Sequence, residues 1–86
     1  MHRTTQRFRK CFDKLPEPVR KVAANNFQLL KKDPHHPSLH FKKVGKFWSV
    51  RIGPDYRALA VEDKEDFIWV WTGNHDAYER IITDAG

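Results

Sequence analysis

The chain is poor in the residues that cofactor and disulfide chemistry use. Of its 86 residues one is cysteine, Cys11, and four are glycine. A single thiol cannot form an intrachain disulfide, and it cannot build a cysteine-based zinc site. That fits a reducing, cytoplasmic setting. No apolar run approaches the ~18 residues of a membrane span. Met1-His2-Arg3 is followed by polar residues rather than by the apolar core of a signal peptide. There is no P-loop, no glycine-rich dinucleotide turn and no nucleophile elbow. No repeat or low-complexity tract divides the chain, so residues 1–86 are expected to form one domain with neither metal nor small-molecule cofactor.

Positive charge and aromatic rings, by contrast, are plentiful. Sixteen Lys and Arg against eleven Asp and Glu leave a net charge of +5. A basic balance in so small a domain favours a polyanionic partner, whether nucleic acid, an acidic protein or an anionic surface. Six Phe, two Tyr and three Trp can build a core from few residues.

The apolar spacing changes along the chain. Phe8, Cys11, Phe12 and Leu15 recur at helical intervals and predict a first helix from Thr4 to Lys14. Leu15-Pro16 ends it, because proline disfavours helix in the residue before it. Pro18 opens a second helix, with Val19, Val22, Ala23, Phe27 and Leu30 as its apolar stripe and Lys31 and Lys32 suiting its negative end. Asp33-Pro34 stops it. Strands are then predicted over Leu39–Val44, Phe47–Ile52, Tyr56–Val61 and Phe67–Trp71. Short turns make successive strands hairpin neighbours. Tyr78, Ile81 and Ile82 predict a short terminal helix. The expected fold class is α+β: an N-terminal helical hairpin on a small antiparallel sheet, plus a short C-terminal helix, with the helices on one face.

If the central hairpin closes about Pro54, Arg51 lies opposite Arg57. Like charges directly opposite destabilise a sheet, so the pair is either a phosphate clamp or two solvated arginines, one paired with Asp55 or Glu62. His75 is the chain's most attractive general acid or base, since imidazole is the side chain best suited to proton transfer at neutral pH. Tyr78 could stack on a base or share that transfer. Alternatively His75-Asp76 caps the terminal helix and Tyr78 packs in the core. Lys42, Lys43 and Lys46 suit sequence-independent phosphate contacts, or protect a solvated edge strand. His35, His36 and His40 lack the spacing and partners of a metal site. Trp69 and Trp71 are expected to share a face with Phe67 in the core. Arg, Lys, His and Tyr on a basic sheet suit cleavage of RNA, where the 2′-hydroxyl is the nucleophile and the protein supplies acid, base and cations.

The run Pro37-Ser38-Leu39, Phe41-Lys42-Lys43, Phe47-Trp48-Ser49-Val50-Arg51-Ile52 and Asp55-Tyr56-Arg57-Ala58-Leu59 resembles the RelE/ParE toxin superfamily. So does the ending Gly73-Asn74-His75-Asp76-Ala77-Tyr78. The resemblance implies a microbial ribonuclease-like toxin fold. It also implies cleavage of mRNA on the ribosome and silencing by a cognate antitoxin, whose acidic or amphipathic segment would wrap the basic face. Under it, Arg57 stabilises the scissile phosphate, Arg51 holds a substrate or ribosomal phosphate, and Tyr78 and His75 fall at catalytic positions. Lys43 and Lys46 fall in the basic region before the central hairpin, and Asp76, beside His75, joins the lysines as a contact to RNA. Family members usually begin with a strand, for which Met1-His2-Arg3 is short. Pro37-Ser38 occupies the place of the glutamate that some members use as base, which leaves Tyr78, Asp76 or His75 for that role. The alternatives are a toxin that poisons DNA gyrase without nuclease chemistry and a toxin-derived module that only binds.

Overall fold

A computed structural model describes residues 1–85. The elements follow in the order β1 (His2–Thr4), α1 (Gln6–Asp13), α2 (Glu17–Lys32), β2 (Lys42–Val44), β3 (Phe47–Ile52), β4 (Tyr56–Asp63), β5 (Asp66–Asn74) and α3 (His75–Ala85), with a single 3-10 turn at Pro37–Leu39 before β2. The sheet order is β1-β5-β4-β3-β2. Strands β2 to β5 form the expected antiparallel meander. The first three-residue strand adds a parallel pairing, His2 to Phe67 and Thr4 to Trp69, so the sheet is mixed. Three residues carry no readable period, and their partner lies at the far end of the chain.

Thr5 converts β1 into α1. Its side chain accepts from the Phe8 amide and donates to the Trp69 carbonyl, so one hydroxyl caps the helix and ties it to β5. Arg20 holds the α1–α2 turn by donating to the carbonyls of Leu15 and Asp13. Ala23 and Leu30 of α2 are buried with Phe8, Val50, Ile52, Ala58, Ala60 and Trp69, and Val19 and Phe27 pack against them. Val22 does not join this stripe and is 40% exposed. It precedes Ala23 by one residue and is therefore turned from it by about 100° around the axis. Asn26 instead reaches the sheet, donating to the Arg51 carbonyl.

Two further expectations are corrected. The segment before β2 is not strand throughout: the His36 ring accepts from the Ser38 amide, Pro37 starts the 3-10 turn, and His40 is left-handed at φ 46°. Strand geometry begins at Lys42. Trp69 and Trp71 also lie on opposite faces. Leu59 pairs with Trp71 but Ala60 pairs with Trp69. The extra residue, Val70, is a β-bulge, and it inverts the alternation of the strand. Trp69 enters the helical-hairpin core, whereas Trp71 joins the face of Leu59, Arg57 and Gly73. A methyl at Gly73 would lie 2.5 Å from the Trp71 ring, which accounts for glycine there.

α3 packs on that second face, not beside α1 and α2 as expected. Asn74 caps it by accepting from the Ala77 amide, and the His75 amide donates to the Asp55 carbonyl. The cap is thus Asn74 rather than His75-Asp76.

Trp69 is fully buried and touches four rings, with Phe27 nearest at 5.1 Å between centroids. Trp69→Ala should cost about 3–5 kcal/mol, against a total stability of about 5–15 kcal/mol. Urea denaturation checks this; a midpoint close to wild type would contradict the central role assigned to this ring.

The Trp69 indole N–H donates to His2 Nδ1 at 3.1 Å, which requires an unprotonated nitrogen. Burial holds His2 below its ordinary value of 6.5, with the N-terminal ammonium and Lys31 adding to the effect. Above that value neither state is protonated here and this group gives no slope. Below it the unfolded chain takes up the proton first, so stability falls with pH until the folded ring also protonates. The urea midpoint should therefore drop between about pH 7 and pH 5.5, and drop less in His2→Asn, which keeps an acceptor for the indole but does not titrate. Equal slopes in the two proteins would contradict the reading of His2.

Candidate active site

The second face of the sheet holds the residues of interest. On β4, Arg57 alternates with the core residues Tyr56 and Ala58 and therefore points away from the helical hairpin. Its partners in register are Arg51 on β3 and Gly73 on β5. Lys42 pairs with Ser49 and lies on the same side, whereas Lys43 pairs with Trp48 on the other. α3 covers Leu59, which is fully buried, and leaves a cleft of about 270 Å³ between itself and the β2–β3 edge.

This cleft brings together Lys42, Ser49 and Arg57 from the sheet with His75, Tyr78 and Glu79 from α3. Successive turns of α3 place His75, Tyr78 and Glu79 on one side, at the three- and four-residue spacings that face one another on a helix. Arg57 donates through Nη1 to the Tyr56 carbonyl at 2.8 Å, and its guanidinium lies 5.8 Å from the centroid of the Tyr78 ring. The Tyr78 ring is 5.7 Å from that of His75. His75 Nε2 meets Glu79 Oε1 at 3.2 Å. Tyr78 is 6% exposed, so its ring is both a packed wall and the surface on which the arginine and histidine rest.

Arg51 is opposite Arg57 in register, as the hairpin spacing predicts. The two guanidinium groups nonetheless diverge. Arg51 donates through Nε to the Gly53 carbonyl at 3.1 Å and turns Nη1 toward His40 Nε2 at 3.5 Å. It lines a neighbouring cleft of about 340 Å³ with Asn26 and Ser38. Neither arginine forms an ion pair among the described residues. The suggested pairing with Asp55 or Glu62 is therefore not formed, and Glu62 instead accepts from the Trp48 indole.

Lys43 and Lys46 lie outside the cleft. Lys43 is exposed on the other face, and Lys46 sits in the β2–β3 turn with its ammonium 5.6 Å from the Phe47 ring. Asp76 is exposed in the first turn of α3, where a carboxylate complements the helix dipole. Two titratable lining residues were not among the expected site residues: His40, weighed only as a metal ligand, and Glu79. The signals for both were present: His40 and Lys42 are two apart, and Glu79 follows His75 by one helical turn. Among the described residues no three His, Cys, Asp or Glu side chains are grouped as metal ligands, and no helix is long and apolar enough to cross a membrane.

Chemically, the cleft offers a fixed guanidinium, a nearby ammonium, two imidazoles and a phenol, with Glu79 as its one carboxylate. Guanidinium forks bind phosphate oxygens in two-point geometry, and an imidazole beside them can move a proton at neutral pH.

Several solved structures share this fold. The RelB–RelE antitoxin–toxin complex from Methanococcus jannaschii matches with a TM-score of 0.73 at 14% identity, covering 92% of this chain and 96% of that one. A double mutant of E. coli toxin RelE in the free state gives 0.68 at 15% identity, covering 99% and 90%. E. coli YafQ gives 0.68 at 13% identity, covering 91% and 96%. Comparison of the sequence with curated proteins finds none that matches. The ParE-like toxin domain family, however, matches residues 17–80, a span from the start of α2 into α3 that includes every residue of the cleft but Ile82. The chain thus belongs to the ParE-like toxin family, within the RelE/ParE superfamily.

Proposed function

We propose that this toxin-family chain is a ribosome-dependent mRNA endonuclease, held silent by a cognate antitoxin. The observation that carries the reading is the convergence of Arg57, Lys42, His75 and Tyr78 on one cleft. A gyrase poison has no need of a titratable imidazole beside a phosphate-binding arginine.

The mechanism follows from the groups present. The mRNA 2′-hydroxyl attacks the adjacent phosphorus, and the 5′-oxygen leaves, giving a 2′,3′-cyclic phosphate and a 5′-hydroxyl. Charge builds on the non-bridging oxygens during the attack. Arg57, already oriented by the Tyr56 carbonyl, meets that charge without having to reorganise. Lys42 adds a second cation. His75 serves as acid or base, and the Tyr78 ring keeps the imidazole and the guanidinium in fixed relation. The ribosome supplies what so small a cleft does not, by presenting the mRNA with the scissile linkage aligned. Arg51 lies at the margin and Lys46 in the nearby β2–β3 turn, where they would contact neighbouring phosphates and add salt-dependent affinity, whereas Lys43 would reach only a chain that wraps round the edge strand.

A basic toxin surface calls for an acidic or amphipathic partner segment. One of the similar structures is an antitoxin–toxin complex, which supports such a partner here.

Primer extension on a translated mRNA tests the reading. Wild-type protein should produce new ends within A-site codons only when ribosomes are present. Arg57→Ala should lower the cleavage rate by about 10²- to 10³-fold and His75→Ala by about 10²- to 10⁴-fold, with far-ultraviolet circular dichroism unchanged. Well-folded wild type that leaves translated mRNA intact would overturn the nuclease reading, and a DNA supercoiling assay would then test the gyrase alternative. Cleavage that survives Arg57→Ala would remove the phosphate clamp.

A further inference from the structure

The nuclease reading needs both a base and an acid, and α3 supplies one histidine. A second histidine lies on the same cleft from a different element. His40, which stands two residues before β2, lines the Arg57 cleft and the adjoining Arg51 cleft alike. It is exposed and left-handed, at φ 46° and ψ 42°. Residues other than glycine adopt that conformation at a cost, and such outliers gather at functional sites. Its amide donates to the Pro37 carbonyl, so the 3-10 turn sets where the ring stands.

The partners of the two histidines differ in kind. Arg51 can only donate, so the His40 Nε2 that faces its Nη1 at 3.5 Å carries a lone pair. A neutral ring in this orientation presents that nitrogen as a proton acceptor. The contact is long, which leaves the lone pair open to a better-placed hydroxyl. The Glu79 carboxylate, when ionised, can only accept, so the His75 Nε2 at 3.2 Å carries a proton. A doubly protonated His75 keeps that bond and still has Nδ1–H to give.

We propose that His40 is the general base of this site and His75 the general acid, an assignment that rests on the nuclease reading. His40 Nε2 takes the proton of the 2′-hydroxyl as the new O–P bond forms. The P–O5′ bond breaks, and His75 Nδ1 delivers its proton to the departing oxygen. One proton enters the protein and one leaves it, with no change of oxidation state. Arg51 acts on His40 as a positioning residue, while Arg57 meets the phosphate.

A sulfur atom replacing the 5′-bridging oxygen separates the two roles, because a thiolate leaves without being protonated. Ribosomes programmed with either the natural or the 5′-thio mRNA would be treated with wild type, His40→Asn and His75→Ala. Asparagine tolerates the left-handed backbone but does not titrate. On natural mRNA both variants should be slowed by about 10²- to 10⁴-fold. On the 5′-thio mRNA His75→Ala should return to near wild-type rate, whereas His40→Asn should stay slow. Added imidazole should restore cleavage by His40→Gly, a response that a purely structural role would not give. Wild-type rates for His40→Asn on natural mRNA, or its rescue by sulfur, would overturn the assignment while leaving the nuclease reading intact. Failure of wild type to cleave natural mRNA would overturn both.

Discussion

The burial of the Trp69 side chain constrains nearly everything else. Its ring lies against Phe8 of α1, Phe27 of α2 and Phe41 before β2. Its indole N–H goes to His2 of β1, and its carbonyl accepts both the amide and the hydroxyl of Thr5. A single residue of β5 is therefore in contact with β1, both helices of the hairpin and the segment that carries His40. An aromatic side chain of this size buries roughly 150–250 Å², worth several kcal/mol at about 25 cal/mol per Å². In a domain of 86 residues that is a large fraction of the stability. One residue further on, the bulge at Val70 turns the strand over. β5 thus sends Trp69 into the core and Trp71 to the face on which α3 packs, and it runs directly into α3.

The bulge divides the work of the two faces. The face under α1 and α2 is apolar and close-packed, and alanines at 23, 58 and 60 are fully buried where elements approach closely. The opposite face is covered by α3 alone, so charged residues are sustainable beside it. Arg51 and Arg57 directly opposite each other would repel by about 1 kcal/mol at 4 Å in a water-like medium. Each is instead drawn to a backbone carbonyl of its own hairpin, Gly53 for Arg51 and Tyr56 for Arg57. Hydrogen bonds to charged groups are worth about 1.5–3 kcal/mol, enough to outweigh the repulsion and hold the guanidinium groups apart. Two cations are then kept near one another without a carboxylate between them, which is the state in which they attract phosphate.

The legible parts of the fold were those governed by a local period or by proline. β3 has the bounds read from the sequence, Phe47–Ile52, because a turn signal stands at each end. The same hairpin fixed the opposition of Arg51 and Arg57. The parallel β1, the bulge and the left-handed His40 leave no periodic trace, since each depends on one to three residues whose conformation is decided by distant partners. Without the bulge, alternation along β5 puts Trp69, Trp71 and Phe67 on one face. Without the turn at Pro37–Leu39, His40 reads as a strand residue. The first is an irregularity within the core strand; the second lies at the cleft, where local patterns yield to the geometry that a site needs.

Tyr78 shows why stability and function are not separable in so small a domain. A phenol whose residue is 6% exposed belongs by burial to the packing of α3 against the sheet. By position it is the contact shared by the Arg57 guanidinium and the His75 ring. A cation over an aromatic face is worth about 0.5–1 kcal/mol at an exposed site and more when water is excluded. That is little for the fold but useful for orientation, because a guanidinium held by a ring on one side and by the Tyr56 carbonyl on another has few other directions in which to point. Trimming Tyr78 would loosen α3 and misplace both groups at once. Loss of cleavage in a Tyr78 variant therefore cannot by itself assign the phenol to proton transfer, whereas Tyr78→Phe removes only the hydroxyl and leaves the wall, the arginine contact and the histidine contact in place.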